Sequence, residues 1–201
     1  MSERAVVIMS GLPASGKTTT AARLHAILGG HLIRSCDVYR DLGISLPSWV
    51  RRTRGFTESV EEYTLLRDAA YAEMARRLDA GLATGTTPVI VDAVHGEPTK
   101  RATLYAACRA RRAFPLVVWC RCDDAGEIER RVTSRRGRDD EPEHEASDLS
   151  VVRHLTGVWR DPTDAPAIPI IGYDTLSERV TGRYGPGSRL ADRVEAALTK
   201  G

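Results

Sequence analysis

Eight consecutive residues carry the plainest chemistry in this chain. Gly11-Leu12-Pro13-Ala14-Ser15-Gly16-Lys17-Thr18 has the spacing G-x-x-x-x-G-K-[S/T] between an apolar run and a helical stretch. Glycines at these positions let the backbone turn tightly, so that successive N–H groups point inward at phosphate oxygens. The helix that follows adds its positive end. The pattern assigns the phosphates of a nucleoside triphosphate to Gly11, Pro13, Ala14, Ser15, Gly16, Lys17, Thr18 and Thr19. Lys17 is expected to reach the β- and γ-phosphates, and the Thr18 hydroxyl to ligate Mg²⁺. The bland alternative is a glycine-rich turn with a chance lysine, which eight matching positions in the right context make the weaker reading.

Two further acidic residues are candidates. Pro88-Val-Ile-Val-Asp92 is an apolar run ending in a carboxylate. Beside a phosphate loop, such an aspartate can hold a water of Mg²⁺, and otherwise it caps a turn. Asp37 stands twenty residues beyond Lys17, with Arg40 three residues on. A carboxylate there can accept the proton of an attacking hydroxyl. The arginine one turn away can hold an acceptor or a phosphate bidentately. Without the loop, the pair would read as a helix cap and an exposed arginine.

Alternating elements must position these groups. Strands are expected at Ala5–Ser10, His31–Cys36, Pro88–Asp92, Pro115–Cys122 and Ile168–Gly172. Helices are expected at Lys17–Leu28, Ser59 (in the capping box Ser59-Val-Glu-Glu62) to about Gly81, Pro98 to about Arg112, Ala125 to about Arg136, Ser147 to about Trp159, and Ser188–Thr199. Strand–helix alternation predicts an α/β fold: a five-stranded, mostly parallel sheet with helices on both faces and ligands at the carboxyl ends of the strands. Residues 42–57 read as irregular. The polar stretch 137–146 reads as a mobile loop, and a base-contacting loop is expected within Gly172–Ser188.

Composition bounds the rest. With 201 residues, 42 % hydrophobic and 28 % charged, the chain reads as one ordinary globular domain. A net charge of +2 neither demands nor forbids nucleic acid. No apolar run spans a membrane and the start lacks a signal-peptide layout, so no membrane partner and a cytoplasmic location are expected. Cys36, Cys108, Cys120 and Cys122 suit a reducing compartment and have no zinc-like spacing. Trp49-Val-Arg-Arg-Thr-Arg54 reads equally well as a base-stacking, phosphate-neutralising segment and as an exposed loop with one docked tryptophan. Trp119 and Trp159 read as packing residues.

The chain resembles the P-loop kinases of the polynucleotide 5′-kinase and zeta-toxin-like group, most of all the polynucleotide 5′-kinase domain. The resemblance spans about residues 5–160. It rests on Gly11 to Thr18, Asp37-x-x-Arg40, Val89-Ile-Val-Asp92 with Pro98 and Arg101 downstream, Arg131-Val-Thr-Ser-Arg135-Arg-Gly137, and Ser147-Asp148. It implies a single P-loop kinase domain over 1–201, with an acceptor region at about 37–83 and a mobile lid at about 130–147. It implies Asp37 as general base, Arg40 on the acceptor, Asp92 placing the metal or acceptor, and Arg135, supported by Arg131, closing over the transferring phosphate. Transition-state charge on phosphoryl oxygens gives such arginines their use. Otherwise Arg130, Arg131, Arg135, Arg136 and Arg138 read as a solvated basic helix end.

The resemblance thus implies a Mg²⁺-dependent transfer of the γ-phosphate of ATP, or GTP, to a hydroxyl. The expected acceptor is a polynucleotide 5′-OH; the alternative is a small alcohol such as a nucleoside, sugar or antibiotic. Asp139, Asp140, Glu141, Glu143 and Glu145 would repel a polyanionic acceptor from the lid. A nucleotide-hydrolysing switch is the third reading. Asp123-Asp-Ala-Gly126 has the form D-x-x-G, but no N-K-x-D guanine motif accompanies it.

Overall fold

The computed structural model describes residues 4–44, 60–135 and 149–199. Strands β1 (Ala5–Ser10), β2 (His31–Arg34), β3 (Val89–Asp92), β4 (Phe114–Arg121), β5 (Ile170–Asp174) and β6 (Arg179–Tyr184) form one sheet in the order β2-β3-β1-β4-β5-β6. Every neighbouring pair is parallel except β5–β6. The helices are α1 (Lys17–Leu28), α2 (Ser35–Asp41), α3 (Val60–Ala83), α4 (Pro98–Ala110), α5 (Ala125–Arg135), α6 (Leu149–Val158) and α7 (Arg189–Thr199). No helix among the described residues is long and apolar enough to cross a membrane.

All six residues of β1 and all four of β3 are buried. A parallel strand covered on both faces needs such a continuous apolar run. Side-chain alternation divides the run between two cores. Val7, Met9, Ile90, Leu116 and Val118 pack with Ala21 and Leu24 of α1 and Val194 and Leu198 of α7. Val6, Ile8, Val89, Val91 and Val117 pack with Met74, Leu78 and Leu82 of α3 and Leu104 and Cys108 of α4. Burial pushes the Cys108 and Cys120 thiols up to about 12, so both act as small apolar groups.

The sheet has six strands, one more than the sequence pattern predicts. Arg179-Val-Thr-Gly-Arg-Tyr184 lies on the edge with only Val180 and Gly182 half-buried, so it has no apolar face to announce it. It folds back on β5 as a hairpin inside the stretch expected to be a base loop. Strand β2 stops at Arg34, and Ser35 opens α2, which puts Asp37 in a first helical turn. Strand β5 begins two residues later than expected. Trp49 to Arg54, the Ser59 cap, the 137–146 loop and Ser147-Asp148 lie outside the described residues.

Because β3 and β4 both border β1, the chain reverses its direction of travel across the sheet at the end of β1. Crevices at such a switch point, outside the carboxyl ends of the strands, bind ligands. The loop leaving β3 is pinned there by Arg101 of α4, which is completely buried. It donates to the carbonyls of His95 (2.7 Å), Arg160 (3.1 Å) and Asp161 (3.2 Å), and to the Asp164 carboxylate (2.7 Å). Arg101→Met keeps the side chain's length and strands these acceptors. We expect a loss of about 3 kcal/mol or more, a fall in melting temperature of roughly 6–12 °C in thermal denaturation.

Candidate active site

The segment between β1 and α1 is held from three strands. Gly11 donates its N–H to the Val94 carbonyl after β3 (3.1 Å). A Cβ on Gly11 would lie 2.4 Å from the Cys120 carbonyl oxygen of β4, so only glycine fits. Gly16, the N-cap of α1, has φ +87°, and a Cβ there would meet Thr175 at 2.9 Å. Thr175, just past β5, donates its hydroxyl to the Ser15 carbonyl (2.8 Å). The loop is thereby fixed with the first-turn N–H groups of α1 at its mouth, where a helix end favours an anion. Lys17 is buried, and its ammonium donates to the Leu12 carbonyl (2.7 Å), lying across the loop where phosphates belong. Thr18 and Thr19 are exposed on the first turn.

Helix α5 closes on this loop from the other side. Arg131 donates to the Ala14 carbonyl (3.1 Å) and to the Thr175 hydroxyl (3.2 Å), and is braced by Glu127 (2.6 Å). Arg130 forks onto the same carboxylate, with both contacts at 2.7 Å. Arg130 first, then Arg131, hold the Glu127 carboxyl down at about 2. Between α1, α5 and the end of β5 lies a cleft of about 380 Å³, lined by Gly16, Thr19, Arg23, Arg131, Thr175 and Glu178 among others. Arg131 therefore stands beside the loop. Arg135 ends α5, and its side chain lies outside the described residues.

On the far side of β3, Asp37 is gripped by two guanidinium groups. Arg34 donates to both carboxylate oxygens (2.7 and 2.9 Å), and Arg40 adds a bond of 3.1 Å. These contacts, Arg34 foremost, hold the Asp37 carboxyl below its usual range. Arg34 pairs in register with Asp92, and Asp92 with Met9 of β1. Asp92 is 3 % exposed at the carboxyl end of β3. The sheet register thus orders the sequence-expected residues as Asp37, Asp92 and phosphate loop along one edge. The hydroxyl of Thr18 and the carboxylate of Asp92, the two residues expected to hold Mg²⁺, are oxygen donors of the hard kind that this ion takes. Cys36, beside Asp37, is buried and its thiol is pushed up, first by desolvation and then by Asp37, which argues against a reactive thiolate.

Sequence reading missed several residues here. Arg34, last in β2, gave no motif signal, although the spacing Arg34-x-x-Asp37-x-x-Arg40 places both arginines one turn from the carboxylate. Thr175 gave none at all, since only the β5 end brings it to the loop. His95 is fully buried with φ +44° and bonds through Nδ1 to the Met9 carbonyl (2.7 Å). Arg101, singled out beside Pro98 in the sequence, is a buried anchor.

Comparison with known proteins places this arrangement. No curated protein matches the sequence. Among solved structures, a sugar kinase from Janibacter sp. HTCC2649 is similar at 19 % identity and TM-score 0.59, over 98 % of this chain and 94 % of that one. A gluconokinase from Sinorhizobium meliloti 1021 aligns at 15 % identity and TM-score 0.59, over 100 % and 94 %. Chaetomium thermophilum Kti12, solved with ADP-AlF3, aligns at 20 % identity and TM-score 0.58, over 97 % and 96 %. These likenesses establish a P-loop kinase fold and stop short of a polynucleotide acceptor. A family model described as an AAA domain matches residues 6–154, and the chain belongs to that family.

Proposed function

We propose that this protein is a Mg²⁺-dependent kinase that moves the γ-phosphate of ATP, or another nucleoside triphosphate, to a hydroxyl of a small molecule. The observation that carries the reading is the order along the sheet edge: a braced phosphate loop with Lys17 and Thr18, then Asp92, then an ionised Asp37. The small-molecule acceptor takes precedence over the polynucleotide 5′-OH expected from the resemblance. It draws support from the sugar kinase and gluconokinase among the similar structures.

The nucleoside lies in the cleft between α1, α5 and β5, and its phosphates enter the loop. Lys17 exchanges the Leu12 carbonyl for β- and γ-phosphate oxygens. Asp37 accepts the hydrogen bond of the acceptor hydroxyl and takes its proton as the new P–O bond forms. In a loose phosphoryl-transfer transition state the proton leaves late, so aiming the hydroxyl matters more than basicity. A carboxylate held ionised by Arg34 and Arg40 suits that task. Arg131 and Arg135 meet the charge that grows on the transferring phosphoryl oxygens. Thr18 and Asp92 would hold Mg²⁺, which would supply charge neutralisation for the phosphates.

The direct test is transfer of radiolabelled γ-phosphate across sugars, polyols, nucleosides and 5′-hydroxyl oligonucleotides. Label on a small alcohol supports the reading. Label on oligonucleotides alone returns the acceptor to a 5′-OH, and label on none with nucleotide hydrolysis intact favours the switch. Lys17→Ala and Thr18→Ala are expected to abolish turnover with unchanged melting temperature, and wild-type rates in either would remove the loop from the mechanism.

Asp37→Asn should lower kcat by about 10²–10⁴-fold while nucleotide affinity, measured by titration, stays within twofold. Equal loss of both would make Asp37 part of the metal shell. Arg34→Gln removes the strongest contact that depresses the Asp37 carboxyl. Its titration should therefore move upward, and the acid limb of the kcat/KM profile should shift to higher pH than in wild type.

Arg135→Ala should lower kcat by at least ~10-fold with little change in melting temperature, whereas Arg138→Ala does much less. Kinetics of both variants on one acceptor decide it. Equal small effects return these arginines to a solvated helix end, and a larger effect at Arg138 moves the lid arginine there.

A further inference from the structure

The nucleoside cleft lies on the side of the phosphate loop away from Asp37. Its walls come from α1, α5 and the end of β5 with the turn that follows, whereas Asp37 follows β2, on the other side of β1. Nucleotide and acceptor therefore approach the loop from opposite sides, and the cleft sees the nucleotide alone. Gly16 and Thr19 stand where the phosphates enter, and Arg23 lies one helical turn farther along α1. Glu178 ends the turn between β5 and β6 and lines the same cleft.

Both charged residues are held in place. Arg23 donates to the Tyr173 hydroxyl (3.3 Å) and to the Leu198 carbonyl of α7 (3.0 Å), which leaves N–H groups of its guanidinium uncommitted. The β5–β6 turn is fixed at its start by the bond from Thr175 to the Ser15 carbonyl (2.8 Å). Asp174 then accepts from the Leu176 N–H (2.9 Å) and the Ser177 hydroxyl (2.7 Å). Glu178 closes the turn at φ +54°, a left-handed conformation more usual for Asn, Asp or Gly. Burial pushes the Tyr173 phenol up, Arg23 opposes that and Glu178 adds to it, so both charges stand around one hydroxyl. The two carboxylates of the cleft differ. Glu127 is taken by Arg130 and Arg131, whereas Glu178 makes no hydrogen bond or ion pair among the described residues, with Arg23 or any other.

A base in this cleft meets one group that only accepts and one that only donates. Guanine presents N1–H and its N2 amino group side by side, which a carboxylate accepts bidentately, and beside them O6, which a guanidinium binds. Adenine offers a carboxylate one amino group, flanked by the lone pairs of N1 and N7, which repel it. We propose that Glu178 and Arg23 select guanine, so that the phosphate donor of this protein is GTP in preference to ATP. Glu178 takes the N1–H and N2 edge, and Arg23 takes O6. The inference rests on the kinase reading of the phosphate loop.

The experiment uses the full chain with Mg²⁺. Calorimetric titration with the β,γ-imido analogues of GTP, ITP and ATP is run on wild type, Glu178→Gln, Glu178→Ala and Arg23→Gln. Phosphoryl transfer from GTP and ATP to sugars, polyols, nucleosides and 5′-hydroxyl oligonucleotides is measured in parallel. In wild type the GTP analogue is expected to bind about tenfold or more tighter than the ATP analogue, with the ITP analogue, which lacks the N2 amino group, between them. Both Glu178 variants are expected to cut that ratio to about threefold or less with unchanged melting temperature, since the side chain is exposed. Arg23→Gln should weaken the GTP and ITP analogues, which carry O6, and spare the ATP analogue. Equal affinity for the GTP and ATP analogues in wild type, tighter binding of the ATP analogue, or a guanine preference that survives both Glu178 variants overturns the inference, whether or not transfer occurs. Guanine-selective binding that the Glu178 variants remove, with no transfer to any acceptor, keeps the base assignment and overturns the kinase reading.

Discussion

Everything at this sheet edge depends on the backbone of Gly11 to Gly16 being held open around a space that phosphate oxygens can fill. A loop that must present its own N–H groups has few left for internal bonding, so its shape has to be imposed from outside. Val94 after β3, the Cys120 carbonyl of β4 and Thr175 after β5 impose it. This explains the strand order. Only a central β1 with β3 and β4 as neighbours has supports on both sides of its carboxyl end, and β5 reaches in over β4. Glycine is required twice for close approach: Gly11 faces a carbonyl and Gly16 faces Thr175.

The arginines around the loop are stored on carboxylates. Glu127 takes Arg130 and Arg131, and Asp37 takes Arg34 and Arg40. Arg130 is 69 % exposed and Arg40 55 %, so pairs of this sort contribute little to stability. Arg101, with no exposure, differs: it cannot move without stranding four acceptors. The same residue type thus anchors the fold when buried and adds little to its stability when exposed.

The sequence showed the loop, β1, β3 and the Asp37–Arg40 pair because each is local: a motif or apolar run confined to a few consecutive residues. The alternation of elements also showed the parallel α/β fold and its ligand edge. What it hid was non-local or lacked contrast. Edge strand β6 buries almost nothing on either face, so Arg179 to Tyr184 gave no period-two pattern. Thr175 reaches Ser15 across 160 positions of sequence. Trp159 was read as packing, which is half the case: one side meets Gly96 and the other lines a cleft. Burial that is partial by design leaves no trace in composition.

His95 shows how the support of the loop is kept independent of conditions. The Met9 carbonyl can only accept, so His95 carries its proton on Nδ1 and donates there. Its own N–H donates to the Tyr71 hydroxyl (3.2 Å), and its carbonyl accepts from Ser10 and Arg101. Burial, reinforced by Lys17 and Arg101, brings its titration down to about 4. The imidazole is therefore neutral near pH 7, and the bond to Met9 keeps one tautomer. A lysine in this place would carry a charge into a site already positive from Lys17. An aliphatic side chain would leave the Met9 carbonyl unpaired. A depressed histidine with φ +44° meets both demands at once, joining β1, α3 and α4 directly beside the Gly11–Gly16 loop.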